Sequence, residues 1–261
     1  MNISIDLSTI PALLQSEVSR LWQDYLTNAS HDDLLCLIEH PQILHSLPKV
    51  WACSLFVAKH CVQQPALLTD LIESGHLLSI PSNYTTQLQQ NLPTADDETA
   101  FLRALRNYRR RELLRIAWRD LAEWASLEET FQSLSNLADA LLGATVNRLY
   151  QRLTAQWGVP CHANGTPQSF IVLALGKLGG QELNFSSDVD LMFAYPEPGE
   201  TVGMPRVRSN QEFFVRLAQQ LIHALNHITE EGLVFRVDMR LRPFGDSGPL
   251  VMSFAAMEEY Y

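Results

Sequence analysis

From residue 9 to about residue 157, apolar positions recur every three or four residues, the spacing of helices that bury one face. The segments IPALLQSEVSRLWQDYL, DDLLCLIEH, VWACSLFVAKHCV and PALLTDLIESG all carry this period. Pro11, Pro41, Pro48, Pro65, Pro81 and Pro93 punctuate them at or near the predicted helix starts, where a missing amide proton costs least. The polar stretch SIPSNYTTQLQQNLPTADDETA predicts a loop-and-helix connection. A long helix is expected from Asp96 to about Ala125, with acidic residues near its start where the helix dipole favours them. A second follows from about Leu127 to Trp157.

The texture changes near Gly158. GVPCHANGTPQ is rich in turn formers, and three strand candidates come after it: Phe170–Leu175, Val189–Tyr195 and Leu233–Leu241. Between the last two, Gln211–Ile228 predicts an amphipathic helix. SFAAMEEYY opens like a helix capped by Ser253 and carries no stop signal, so the natural chain is expected to continue. The expected organisation is a helical region over residues 1–157 and a small mixed α/β unit over 158–261.

Bulk properties narrow the field. A chain of 261 residues with 46% hydrophobic and 18% charged content is that of a folded protein. No apolar run of membrane-spanning length and no signal-like leader is present, so a cytoplasmic location without membrane attachment is expected. The net charge is −10, and residues 1–100 hold three basic against eleven acidic side chains. Duplex nucleic acid is a poor partner for such a leader. Cys36, Cys53, Cys61 and Cys161 form no CxxC pair and predict buried thiols rather than disulfides or a zinc site.

The candidate chemistry lies in LALGKLGGQELNFSSDVDLMFAY, Leu173–Tyr195. Asp188 and Asp190 are two apart, so on a strand both point to one side while Val189, Leu191 and Phe193 point to the other. Gly176, Gly179, Gly180, Ser186 and Ser187 supply flexible backbone and small hydroxyls in front of them. That pattern suits a phosphate held beside carboxylates that bind divalent cations about 3.5–4 Å apart, the chemistry of nucleotidyl transfer. A bare Asp-x-Asp alone is also compatible with a soluble strand edge. In GLVFRVDMRLRPFGDSGPL, Phe235, Val237, Met239 and Leu241 alternate with Arg236, Asp238, Arg240 and Arg242. Alone this could be a salt-bridged surface. Beside the first strand, Asp238 becomes a third metal ligand or orients the nucleophile, and the three arginines suit phosphate oxygens. Asp246 fits a turn cap.

ALGKLGGQELNFSSDVDLMFAY and RVDMRLRPFGDSGPLV closely resemble the N-terminal catalytic half of bacterial bifunctional glutamine synthetase adenylyltransferase/adenylyl-removing enzymes. The basic helix RALRNYRRRELLRIAWRDL, Arg103–Leu121, is similar to that family's leader, and the likeness runs from about Phe101 onward. The resemblance implies an α+β fold: a helical N-terminal region, then a DNA polymerase β-like nucleotidyltransferase core with a small mixed sheet, here C-terminally truncated. It implies metal binding by Asp188, Asp190 and Asp238, with Mg2+ as cofactor. Gly176, Gly179, Ser186 and Ser187 match the nucleotide-cradling turn, which also contains Lys177. It further implies removal of AMP from a tyrosine of glutamine synthetase by phosphate, giving ADP, because NFSSDVDLMF and MRLRPFGDSGPLV look like the removing half. AMP attachment from ATP, or an incomplete docking or regulatory fragment, are the alternatives. Family members answer to glutamine and to the PII signalling protein, contacts for which no residue here stands out.

Arg103, Arg106, Arg109, Arg110, Arg111, Arg115 and Arg119 remain. They predict a docking track, a support packed under the acidic strands, or a solvated face balanced by Glu112, Asp120 and Glu123. His223 and His227 stand at metal-ligand spacing without a matching carboxylate and predict an ordinary helix face. Trp22, Trp51, Trp118, Trp124 and Trp157 predict packing positions.

Overall fold

A computed structural model describes residues 3–80, 83–94 and 97–261. By its contacts the chain divides into one unit of Met1–Asn83 with Arg110–Ser133, and another of Tyr84–Arg109 with Leu134–Tyr261. The division does not fall at residue 157, because each of the two long helices gives part of its length to each unit.

The first unit opens with α1 (Ala12–Asn28), α2 (His31–Glu39), α3 (Pro41–Cys53), α4 (Leu55–Gln63) and α5 (Pro65–Glu73). Local chemistry sets these boundaries. Pro41 and Pro65 occupy first turns, and Ser30 with Asp33 forms a reciprocal capping box on α2. Pro48 is not at a start but inside α3, where it is buried beside the fully buried Leu47 and Val50, so packing carries the helix through it. Trp22, Tyr25 and Trp51 form an aromatic cluster with ring centroids 5.5–6.2 Å apart.

Then come α6 (Tyr84–Asn91), α7 (Glu98–Leu121) and α8 (Leu127–Trp157). The expected start of α7 at Asp96, and Pro81, lie outside the described residues. The second part of α7 is not a solvated face: residues 112–119 are all buried. Arg115 and Glu112 pair at 2.7 Å without exposure, Arg119 meets Glu129 at 2.8 Å, and Trp118 donates its indole N–H to Ser46. In the second unit Arg106, also buried, donates to the carbonyl of His227, and Arg103 pairs with Glu231. Most of the arginines with a partner are thus internal supports.

The second unit continues with β1 (Val159–Pro160), β2 (Ile171–Ala174), α9 (Gly176–Gly179), β3 (Val189–Tyr195) and β4 (Thr201–Val202). After them come α10 (Asn210–Asn226), β5 (Val237–Asp238), β6 (Val251–Ser253) and α11 (Phe254–Tyr260). The main sheet is mixed: β2 runs antiparallel to β3, while β5 and β6 run parallel to it, β5 beside its start and β6 beside its end. β1 and β4 form a separate antiparallel pair. A helical region followed by a small mixed sheet is the α+β, nucleotidyltransferase-like architecture that the sequence predicts.

Phe213, Phe214, Leu217 and Leu221 of α10 are fully buried, and Phe214 stacks on Tyr195 and Phe170. Ser209 and Glu212 form a capping box on α10, and Ser253 caps α11 as expected. His223 and His227 stack on each other, and among the described residues neither joins a metal-ligating group. Of the four free cysteines, Cys36, Cys61 and Cys161 are buried, whereas Cys53, at the end of α3, is exposed. No helix among the described residues is long and apolar enough to cross a membrane.

The strand expected over Leu233–Leu241 shortens to Val237–Asp238. The Asp238 carboxylate accepts from the backbone N–H of Arg240, an Asx turn, and Arg242 then donates its N–H to Met239. These bonds take the groups a strand would offer its neighbour, so Leu241 emerges exposed instead of continuing the alternation. The three-residue β6, a brief apolar run, is too short for period alone to announce.

Candidate active site

β3 begins immediately after Asp188, and its first residues bring two of the three predicted carboxylates, Asp190 and Asp238, into register. Val189 is wholly buried and anchors the strand, so Asp190 faces away from the core. Asp190 lies in direct register with Asp238 of the parallel β5, and paired residues in a sheet project to the same face. Asp188, two residues before Asp190, ends the turn that leads into the strand.

Gly176 opens α9 with φ 54°, and a Cβ placed on it would stand 2.5 Å from Oδ2 of Asp190. A side chain at Gly176 would therefore occupy the space into which the carboxylate projects. Gly179 makes an equally close approach of a different kind, 2.5 Å from the Ala174 carbonyl of β2. Together the two glycines let the single turn of α9 sit against the sheet. Lys177 is exposed on that turn.

Ser186 and Ser187 lie in the turn leading into β3, where the Ser187 hydroxyl donates to the side chain of Asn184 at 2.6 Å. Arg236 bridges this turn and the acidic edge: its Nε donates to Asp188 at 2.5 Å and its Nη2 to the carbonyl of Ser186 at 2.8 Å. Arg240 grips Asp238 with two guanidinium nitrogens. The Arg240 side chain and amide hold the Asp238 carboxyl below the usual carboxylate range. Arg242 does not join the group; it donates to the carbonyl of Met239 at 2.7 Å and faces Asp246 at 3.5 Å, bracing its own turn.

The donor set is three carboxylates, hard oxygen ligands of the kind Mg2+ takes. In this structure Asp188 and Asp238 turn toward arginines, so among the described residues no three His, Cys, Asp or Glu side chains converge as a ligand cluster. What does fit a cation is the Asp190–Asp238 register pair, with Gly176 leaving the Asp190 carboxylate room to lie against the turn.

A cavity of about 280 Å3 adjoins this edge, lined by Ser186, Ser187 and Arg236 with Phe185 and Phe235. Arg109 of α7 also lines it. In the sequence Arg109 is one basic residue in a run of seven; only the fold separates it from the others.

A family model described as Glutamate-ammonia ligase adenylyltransferase matches residues 44–261. Curated relatives described as bifunctional glutamine synthetase adenylyltransferase/adenylyl-removing enzyme agree with it. That of Nitrosococcus oceani is 47% identical over 267 residues, covering 100% of this chain and 27% of its own length. That of Pseudomonas aeruginosa is 51% identical over 221 residues, covering 84% of this chain and 22% of its own. That of Thioalkalivibrio sulfidiphilus is 44% identical, covering 98% and 26%. The chain thus spans about a quarter of the length of these relatives, and the likeness extends well upstream of Phe101. With most of its residues matched, the chain belongs to the glutamate-ammonia ligase adenylyltransferase family.

Proposed function

We propose that this chain carries a Mg2+-dependent adenylyl-removing site that acts on the AMP–tyrosine ester of glutamine synthetase and releases ADP. The observation that carries the reading is the Asp190–Asp238 register pair, its Asp190 carboxylate packed where Gly176 carries no side chain, with a serine turn and arginines beside it. The direction rests on the likeness of NFSSDVDLMF and MRLRPFGDSGPLV to the removing half of the relatives.

An oxygen of hydrogen phosphate attacks the α-phosphorus of the ester in line with the tyrosine oxygen. A new P–O–P bond forms, the bond to the phenol oxygen breaks, and the proton carried by the phosphate balances the released tyrosine. That phenol, with a pKa near 10, is a serviceable leaving group. Asp190 and Asp238, with Asp188 exchanging Arg236 for a cation, would hold the metal. When bound, Mg2+ supplies neutralisation of the charge that spreads over the phosphoryl oxygens. The Ser186–Ser187 turn positions a phosphate, and Arg236 and Arg240 can turn from carboxylates to phosphate oxygens. No covalent intermediate with the protein is needed.

The test is ADP formation from adenylylated glutamine synthetase with phosphate and Mg2+, using Asp190→Asn as control. Phosphate-dependent ADP from the parent but not the variant supports the reading. A folded parent that forms no ADP, or that instead releases pyrophosphate from ATP with unmodified glutamine synthetase, refutes it.

A further inference from the structure

Arg109 differs from its neighbours on α7. Arg103, Arg106, Arg111, Arg115 and Arg119 each meet a carboxylate or a carbonyl. Among the described residues no carboxylate pairs with Arg109, and its Nε is buried without a hydrogen-bond partner. Its guanidinium lies 5.2 Å over the ring of Phe235. At that distance the cation is attracted by the ring's quadrupole, an interaction that uses none of its N–H donors.

Burial pushes its pKa down to about 10, so the group is still a cation near neutral pH. The side chain is half-buried with its Nε sealed from water; a partly desolvated cation with no carboxylate partner among the described residues is costly, and an arriving anion removes that cost. The cavity it lines has a second cation, Arg236, but that charge is already balanced by Asp188. The uncompensated charge facing the cavity is therefore that of Arg109. At about 280 Å3 the space falls below the roughly 300–1,000 Å3 of whole-ligand pockets and is ample for one phosphate.

We propose that Arg109 is a phosphate-binding residue, forming with the Ser186–Ser187 turn an oxyanion subsite that holds the attacking phosphate. The proposal rests on the adenylyl-removing reading for its place in the reaction. There the oxygen of the held phosphate forms the bond to the α-phosphorus as the phenol leaves, so the same group remains in the subsite as the β-phosphate of ADP. Free phosphate and ADP should both depend on Arg109, whereas AMP, which lacks that group, should not.

The experiment is calorimetric titration of the 261-residue chain with inorganic phosphate, ADP and AMP, each with Mg2+, for the parent, Arg109→Met and Arg109→Lys. Methionine keeps an apolar stem against Phe235 and removes the charge. Phosphate and ADP should weaken roughly 10- to 100-fold with AMP unchanged, and lysine, a charge without the fork, should fall between. Unchanged phosphate binding overturns the proposal. So does equal weakening of all three ligands, which marks a merely structural arginine, or weakening of ADP alone. If circular dichroism shows Arg109→Met unfolded, Arg109→Lys decides by the same criterion.

Two results separate this proposal from the functional reading. Arg109-dependent phosphate binding in a chain that forms no ADP sinks the reading and leaves the subsite. ADP formation with an unaltered KM for phosphate in Arg109→Lys sinks the subsite and leaves the reading.

Discussion

Three glycines within five residues should respond to alanine in three different ways. At Gly176 the new Cβ would stand 2.5 Å from Oδ2 of Asp190, and φ is 54°, a conformation costing an L-residue about 1–2 kcal/mol. The colliding atom is the end of a side chain, so it can yield, but only by retreating about 0.9 Å to ordinary contact. Unfolding in urea should therefore show a loss of about 1–2 kcal/mol. ADP formation should fall much further, about 100-fold, because displacement by an ångström at a reacting centre has that effect. At Gly179 the obstacle, also at 2.5 Å, is the Ala174 carbonyl, which cannot swing away. Gly179→Ala should cost about 1–3 kcal/mol as α9 is forced off β2. At Gly180 no atom comes nearer than 3.6 Å, and alanine should shift stability by less than about 1 kcal/mol with activity retained. Activity of Gly176→Ala equal to that of Gly180→Ala would refute the placement of Asp190 in the reacting site.

Other consequences are open to direct measurement. Glu112→Ala removes the carboxylate that both Arg111 and the wholly buried Arg115 pair with and should cost about 3–5 kcal/mol in urea unfolding, whereas an apolar pair replacing Glu112 and Arg115 should cost less; equal losses would contradict this. Leu191→Ala empties a fully buried position in β3 and should cost about 2–5 kcal/mol, with a loss below that range arguing against a packed sheet. The Ser209 amide and hydroxyl hold the Glu212 carboxyl below its ordinary range, so its folded pKa lies under its unfolded one. Its contribution is then present above the unfolded value and lost as pH falls through the folded one. The stability difference between parent and Glu212→Gln should shrink toward acid; a difference that grows would reverse the assignment.

Much of the fold is legible in local pattern. α8 spans Leu127–Trp157 and β3 spans Val189–Tyr195 as period and composition predict, and Ser253 caps α11 where a hydroxyl precedes a helix-forming run. β5 is less legible, since its alternation continues in the letters after Asp238 has already turned the chain. The basic helix misleads for a related reason. Spacing shows which arginines share a face, but not that Glu112 and Arg115 are sealed together inside.

Within the site, residue chemistry and spacing along one strand are local properties, and they mark Asp188, Asp190, Gly176 and the serine turn before any fold is known. The sequence also carries the long motifs by which the family is recognised. The pairing of Asp190 with Asp238 is not local: they are 48 positions apart and meet only through strand register. Nor is the choice of Arg236 and Arg240 over Arg242 as partners of the acidic edge, which depends on where the turn after β5 aims each side chain. Arg109 is the sharpest case. Charge is written in the residue, whereas partial burial, a ring beside it and the lack of a carboxylate partner among the described residues come from elements distant in the chain, and those conditions make one arginine of seven a candidate ligand for phosphate.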